Sequence, residues 1–212
     1  KLIWLNINFK LPLVKPCVIR SKVLNSSGIV ALFGADISPV ETTVFVKYPN
    51  YIFRPGQSDA LHVDLWHSGK NILRDVGSYS YNSVIDEDKH FSSIRAHNTI
   101  QVDDLEPMAK VGPFLRTNWS EMISTGKIIK DYNTLSWCGQ YNIKLGTSHA
   151  RRVTLSGSTC EVFDQVVGAS KVIVLRWHLA PGVWVRTGNV LSCEKIKIKL
   201  SSNEKMTMEL RQ

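Results

Sequence analysis

No stretch of about 11 residues in this chain keeps apolar side chains at the i, i+3, i+4, i+7 spacing of an amphipathic helix. Short β-branched and aromatic runs recur instead, bounded by Gly, Pro, Asn and Ser. Residues 29–33, 40–48 (VETTVFVKY), 59–66, 71–76 and 97–103 read as strands. So do 123–130, 134–141, 150–155, 160–167 and 172–179, with a strand or docked linker at 2–9. His67-Ser68-Gly69-Lys70 supplies a turn that makes a hairpin of 59–66 and 71–76. Residues 183–186 and 190–193 follow, and 195–200 (KIKIKL) is expected to turn at SSNE and pair with 205–210 (KMTMEL). Many short strands at regular spacing make an all-β sandwich or barrel.

With 43% hydrophobic residues in 212, the chain can bury a substantial core. A net charge of +8 favours a polyanionic partner. The charge is dispersed, with no long Lys/Arg run and no helix-turn-helix, finger or RNP-like motif, so nucleic acid is not the expected partner. No run of about 18 apolar residues offers a membrane span. Cys17, Cys138, Cys160 and Cys193 are far apart and form no CxxC, which excludes a zinc ribbon.

The polar chemistry concentrates in residues 54–98, which hold Asp59, His62, Asp64, His67, Asp75, Tyr79, Tyr81, His90 and His97. On a regular strand over 59–66, Asp59, Leu61, Val63 and Leu65 share one face, and Ala60, His62, Asp64 and Trp66 the other. Each residue also has a purely structural reading. Asp75 before Val76-Gly77 suits a turn cap, His97 suits a hydrogen-bonded core imidazole, and Tyr79 and Tyr81 suit packing. His178 reads as a buried structural histidine, and Trp66, Trp119 and Trp137 as core or as sugar-stacking rings.

Several segments resemble, in order, the C-terminal domain of the heparinase II/III-like family. They are SDALHVDLW (58–66), NILRDVGSYSYN (71–82), AHNTIQVDD (96–104), GPFLRTNW (112–119), ARRVTL (150–155), VFDQVVG (162–168) and LRWHLAPG (175–182). The resemblance implies a layered antiparallel β-sandwich over residues 26–212. It also implies that residues 1–25 connect to an N-terminal α/α toroid. The family's members act on uronate-containing polysaccharides, so an acidic polysaccharide is the expected partner, met in the periplasm or outside a bacterial cell.

The family's β-elimination removes the C5 proton of a uronate and protonates the departing O4. It needs a base, an acid, and groups that neutralise the adjacent carboxylate. The resemblance assigns catalytic roles to His62, Tyr79 and His97. It assigns substrate contacts to Arg54, Gln57, Asp59, Asp64, Arg74 and Arg95, the arginines through their match to carboxylates. The family's D-x-G-x-Y aspartate and H-N histidine can bind a structural zinc, and carry over as Asp75 and His97. Its H-x-H-x-D segment departs here, with Pro55 and Gln57 where histidines are expected. His62 is the candidate replacement, provided that a loop or bulge turns it from its regular strand direction. A binding or scaffolding module without lyase chemistry is the alternative reading.

Overall fold

The computed structural model describes residues 20–39, 41–77, 90–112, 115–144, 146–169 and 171–211. The strand expected at 2–9 lies outside these residues, as do Tyr79 and Tyr81. The chain divides after His178 into two compact units.

The first unit begins with a meander of β1 (Lys22–Leu24), β2 (Ile29–Phe33), β3 (Thr42–Lys47), β4 (Val63–His67) and β5 (Lys70–Leu73), each antiparallel to the next. In β3 the alternation is legible directly, since Thr42, Val44 and Val46 are buried while Thr43, Phe45 and Lys47 are less so. The β4–β5 hairpin turns on Ser68 and Gly69, both at positive φ (47° and 75°). That is the primed geometry whose twist matches the flanking strands. β6 (Ile100–Val102) and the short pair β7 (Lys110–Gly112) and β8 (Leu115–Arg116) follow.

The second large sheet contains β9 (Glu121–Thr125), β10 (Ile129–Asp131), β11 (Thr134–Lys144), β12 (Thr147–Ser156) and β13 (Thr159–Val167). Its order is β10-β11-β12-β13, with β9 also on β11. β14 (Ile173–Leu175) returns to pair with β6. The core brings together Val30, Leu32, Val44 and Val46 of the first sheet and Leu135, Trp137, Tyr141, Val153 and Leu155 of the second, all at most 1% exposed. Tyr48 joins the two layers, its ring 5.9 Å from that of Trp137. The fold is the expected all-β sandwich, with antiparallel sheets throughout.

On β12 a buried position carries charge. His149, Arg151, Val153 and Leu155 project from β12 in phase, and all four are buried. The cross-strand partner of Arg151 on β13 is Asp164. The guanidinium holds it bidentately, Nε to Oδ1 at 2.6 Å and Nη2 to Oδ2 at 2.9 Å, while His149 Nε2 donates to Oδ1 at 2.7 Å. Burial works to raise the Asp164 carboxyl, but Arg151 and His149 overcome it and hold the group well below its ordinary range. Burial pushes His149 below its ordinary 6.5, and the Arg151 charge adds to that push against the opposing pull of Asp164.

Both shifts have the same sign for stability. A depressed Asp164 stabilises the fold above its unfolded pKa of about 4, and that contribution is lost as pH falls through the folded value. A depressed His149 lets the unfolded chain take up, below about pH 6.5, a proton that the folded chain refuses. The urea midpoint is therefore expected to fall from about pH 6.5 downward, and His149→Gln to flatten the upper part of the fall. A midpoint equally pH-dependent in both proteins between pH 7 and 5 would contradict the assignment to His149.

The second unit, residues 179–212, holds β15 (Val185–Thr187), β16 (Val190–Cys193) and β17 (Ile196–Lys199), in that order in one sheet. Its small core is Trp184, Leu191 and Met208, with Ile196 and Ile198 against it. The expected closing hairpin does not form. KIKIKL pairs backward with β16 through a tight turn at Glu194 (φ 51°) and Lys195. Residues 205–210 carry no strand; Met208 is buried, and its carbonyl accepts from Arg186 Nη1 at 2.6 Å. Alternation here reports a chain with one buried side, whether or not a ladder forms.

Candidate functional site

The strand expected over 59–66 starts only at Val63. Ahead of it the chain turns, with Leu61 in the left-handed region (φ 55°) and the His62 N–H donating to the Asp59 carbonyl at 3.0 Å. The expectation that Asp59 and His62 face opposite ways is thereby corrected. The turn brings both, with Asp64, Asp75 and Lys47, to a cavity of about 220 Å³ floored by Ile29 and Phe45. The strand expected over 97–103 likewise shortens to β6, because the His97 and Thr99 N–H groups close local turns on the Ile94 and His97 carbonyls.

His62, Asp75 and His97 form one cluster, with one donor atom from each lying within 4.8 Å of the others. Asp75 Oδ2 lies 2.9 Å from His97 Nδ1 and 3.7 Å from His62 Nε2. Its Oδ1 accepts the Gly77 N–H at 2.7 Å, so the turn-cap reading of Asp75 holds alongside its contact with His97. The two imidazoles meet edge to face, 5.5 Å between ring centres. The Asn98 backbone N–H donates to His62 Nδ1 at 2.9 Å. A neutral imidazole has one N–H and one lone pair, so this bond places the His62 proton on Nε2.

Burial, reinforced by the neighbouring His97, drives His62 down to about 3, so it stays neutral near pH 7. Burial works to raise Asp75, but its hydrogen bond and charge contact with His97 hold it below its ordinary value. Burial raises both Asp59 and Asp64. Burial thus works against a full set of charged carboxylates at this cavity.

Asn98 ties the cluster together. Its side-chain amide donates to the Val63 and Arg74 carbonyls at 2.9 and 3.1 Å, and its Oδ1 accepts the His178 N–H at 2.6 Å. Two buried arginines fix the loops. Arg151 Nη1 donates to the Leu61 and Asn98 carbonyls at 2.5 and 2.7 Å. Arg116 donates to the Gly56 carbonyl at 3.2 Å, Ser58 Oγ at 3.1 Å, Met108 carbonyl at 2.6 Å and the Ser92 carbonyl.

The other anticipated residues are placed less centrally. Arg54 and Arg74 are exposed, and Gln57 is half-buried. Arg95 pairs with Asp104 at 2.6 Å on the surface, the ordinary ion-pair reading. His97 is fully buried, with an unpartnered Nε2. His178 is half-buried, its Nε2 3.2 Å from the Arg95 carbonyl. Trp137 is core, whereas Trp66 and Trp119 are about 40% exposed. Sequence reasoning passed over Lys47, Asn98 and Arg151 as site residues. The available signal for Arg151 was a charge in phase with Val153 and Leu155.

The family model for heparinase II/III-like, C-terminal, matches residues 20–211. The chain belongs to this family. The heparinase II/III-like domain also superposes on a heparinase III gene product with TM-score 0.65 and 21% identity, over 82% of this chain and 26% of that one. Heparan sulfate lyase HepC from Pedobacter heparinus gives TM-score 0.63 and 19% identity, over 84% and 27%. The domain thus spans about a quarter of the length of these enzymes, and at such identity they share its fold. No curated protein matches it in sequence. No helix among the described residues is long and apolar enough to cross a membrane.

Proposed function

We propose that this chain is the C-terminal domain of a polysaccharide lyase acting on a uronate-containing polymer outside the cytoplasm. It would work by β-elimination, together with an N-terminal α/α toroid. Family membership supports the reaction class. The observation that carries the reading is the cavity where His62 meets Asp59, Asp64 and Asp75.

In the elimination a base takes the C5 proton, the C–H pair becomes the C4–C5 double bond, and O4 leaves with a proton. His62 is suited to one part only. Its Nε2–H is a neutral donor, buried at the cavity wall 3.7 Å from Asp75 Oδ2 and without a hydrogen bond, and a substrate carboxylate or departing O4 that reached it would take that bond. It is not the base, because its other nitrogen is occupied by the Asn98 N–H. Asp59, raised by burial, is a second donor when protonated. The base, and the acid that gives O4 its proton, are left to Tyr79 or to groups of the toroid. The exposure of Arg54 and Arg74 supports their contact with further carboxylates along the polymer.

A second reading has support in two observations: His62, the imidazole on the cavity, is locked as a donor, and His97 is fully buried. A binding module without elimination chemistry would need no more. A lyase assay on a panel of uronate polysaccharides separates the two. The full-length protein is expected to generate the ultraviolet absorbance of an unsaturated uronate. Salt-sensitive retention of an acidic polymer with no absorbance across the panel would replace the lyase reading with the binding one.

A further inference from the structure

We infer that the His62–Asp75–His97 cluster is metal-free: hydrogen bonds from Gly77 and His97 hold Asp75, and the nearby N–H edge of His62 faces it where a zinc ion would otherwise sit. The separations alone would admit a metal, since one donor atom from each residue lies within 4.8 Å of the others. The proton positions do not. A metal on His62 Nε2 needs a lone pair there, which moves the ring proton to Nδ1. Nδ1 already faces the Asn98 backbone N–H at 2.9 Å, so the shift would set two N–H groups against each other. A backbone amide has no second protonation state to offer. His62 is therefore a fixed Nε2–H donor.

Without it, the cluster's donors are Asp75 and His97, and a structural zinc takes four. Gln57, a carboxamide, stands where the resemblance expects a histidine. Asp75 is meanwhile satisfied by protein groups, with the Gly77 N–H on Oδ1 and the His97 Nδ1–H on Oδ2. The positive edge of His62 faces the same Oδ2 at 3.7 Å. Fixed dipoles thus supply the compensation that a divalent ion would otherwise give to a partly buried carboxylate. The inference concerns the construction of the site and stands whether the domain serves catalysis or binding.

The test compares full-length wild type with His62→Ala after dialysis against zinc sulfate and then against metal-free buffer, with zinc counted by mass spectrometry. Equal zinc content in the two, and a wild-type Tm unmoved by EDTA, are expected. One more bound zinc in wild type than in His62→Ala, or an EDTA-induced Tm drop seen only in wild type, would overturn the inference. If His62→Ala does not fold, wild type alone decides. Solid-state nitrogen NMR of histidine-labelled protein with zinc present is expected to show His62 protonated at Nε2. A metal-shifted Nε2 with the proton on Nδ1 would be fatal to it. Neither readout depends on lyase activity, so failure here is distinct from failure of the lyase reading.

Discussion

Arg151→Ala is expected to cost about 3–5 kcal/mol, the penalty for stripping one partner from a buried ion pair. For a domain of this size that lowers Tm on the order of 10 °C. Arg151 is 1% exposed and makes two bonds to Asp164 and two to the carbonyls of Leu61 and Asn98. The alanine leaves Asp164 with only His149 as its donor and strips one hydrogen bond each from the Leu61 and Asn98 carbonyls, in a space that water does not readily refill. Arg151→Met with Asp164→Leu removes both charges and is expected to recover part of the loss, because the desolvation penalty goes too. Recovery of stability should not restore the site. The two carbonyls that Arg151 holds belong to the turn before His62 and to the residue after His97. Polymer binding or cleavage is therefore expected to stay impaired in the double variant while its urea midpoint rises. Arg151→Ala within 1 kcal/mol of wild type would show that the network is not formed in solution.

Arg151 also marks where sequence reading reaches its limit. Strands such as β3, β11, β12 and β13 were legible because period-2 burial writes itself into composition, and the Ser68-Gly69 hairpin because its turn chemistry is local. The His62 turn was not legible. Nothing in Asp59-Ala60-Leu61-His62 announces a left-handed leucine; that conformation is held by remote groups, chiefly the Arg151 bond to the Leu61 carbonyl, 90 positions away in sequence. Asn98 is similar. Its four bonds to residues 62, 63, 74 and 178 exist only after the fold has assembled them. Local pattern supplied the strands, and long-range polar contacts set the site's geometry. Asp75 and His97 came from family resemblance, and Asp75 Oδ2 lies 2.9 Å from His97 Nδ1, with His62, the candidate replacement, beside them on a turn.

His62→Ala in the full-length protein is expected to lower kcat by about 10²–10³, the usual cost of losing one positioned donor to developing charge. A donor that stays neutral is distinct from an acid–base histidine. With His62 held down to about 3, its imidazole does not titrate between pH 5 and 8. A kcat limb near pH 6.5 arising from His62 is therefore not expected, and any such limb should persist in His62→Ala. Its disappearance in the variant would mean that His62 cycles a proton, and the donor assignment would fail. His62→Asn supplies the complementary control. Its carbonyl oxygen can accept the Asn98 N–H, and its amide can donate toward the cavity, reproducing both bonds of the imidazole with a shorter reach. Partial recovery of kcat in His62→Asn over His62→Ala, at similar Tm, would tie the loss to the missing donor, since a packing defect would affect stability in both.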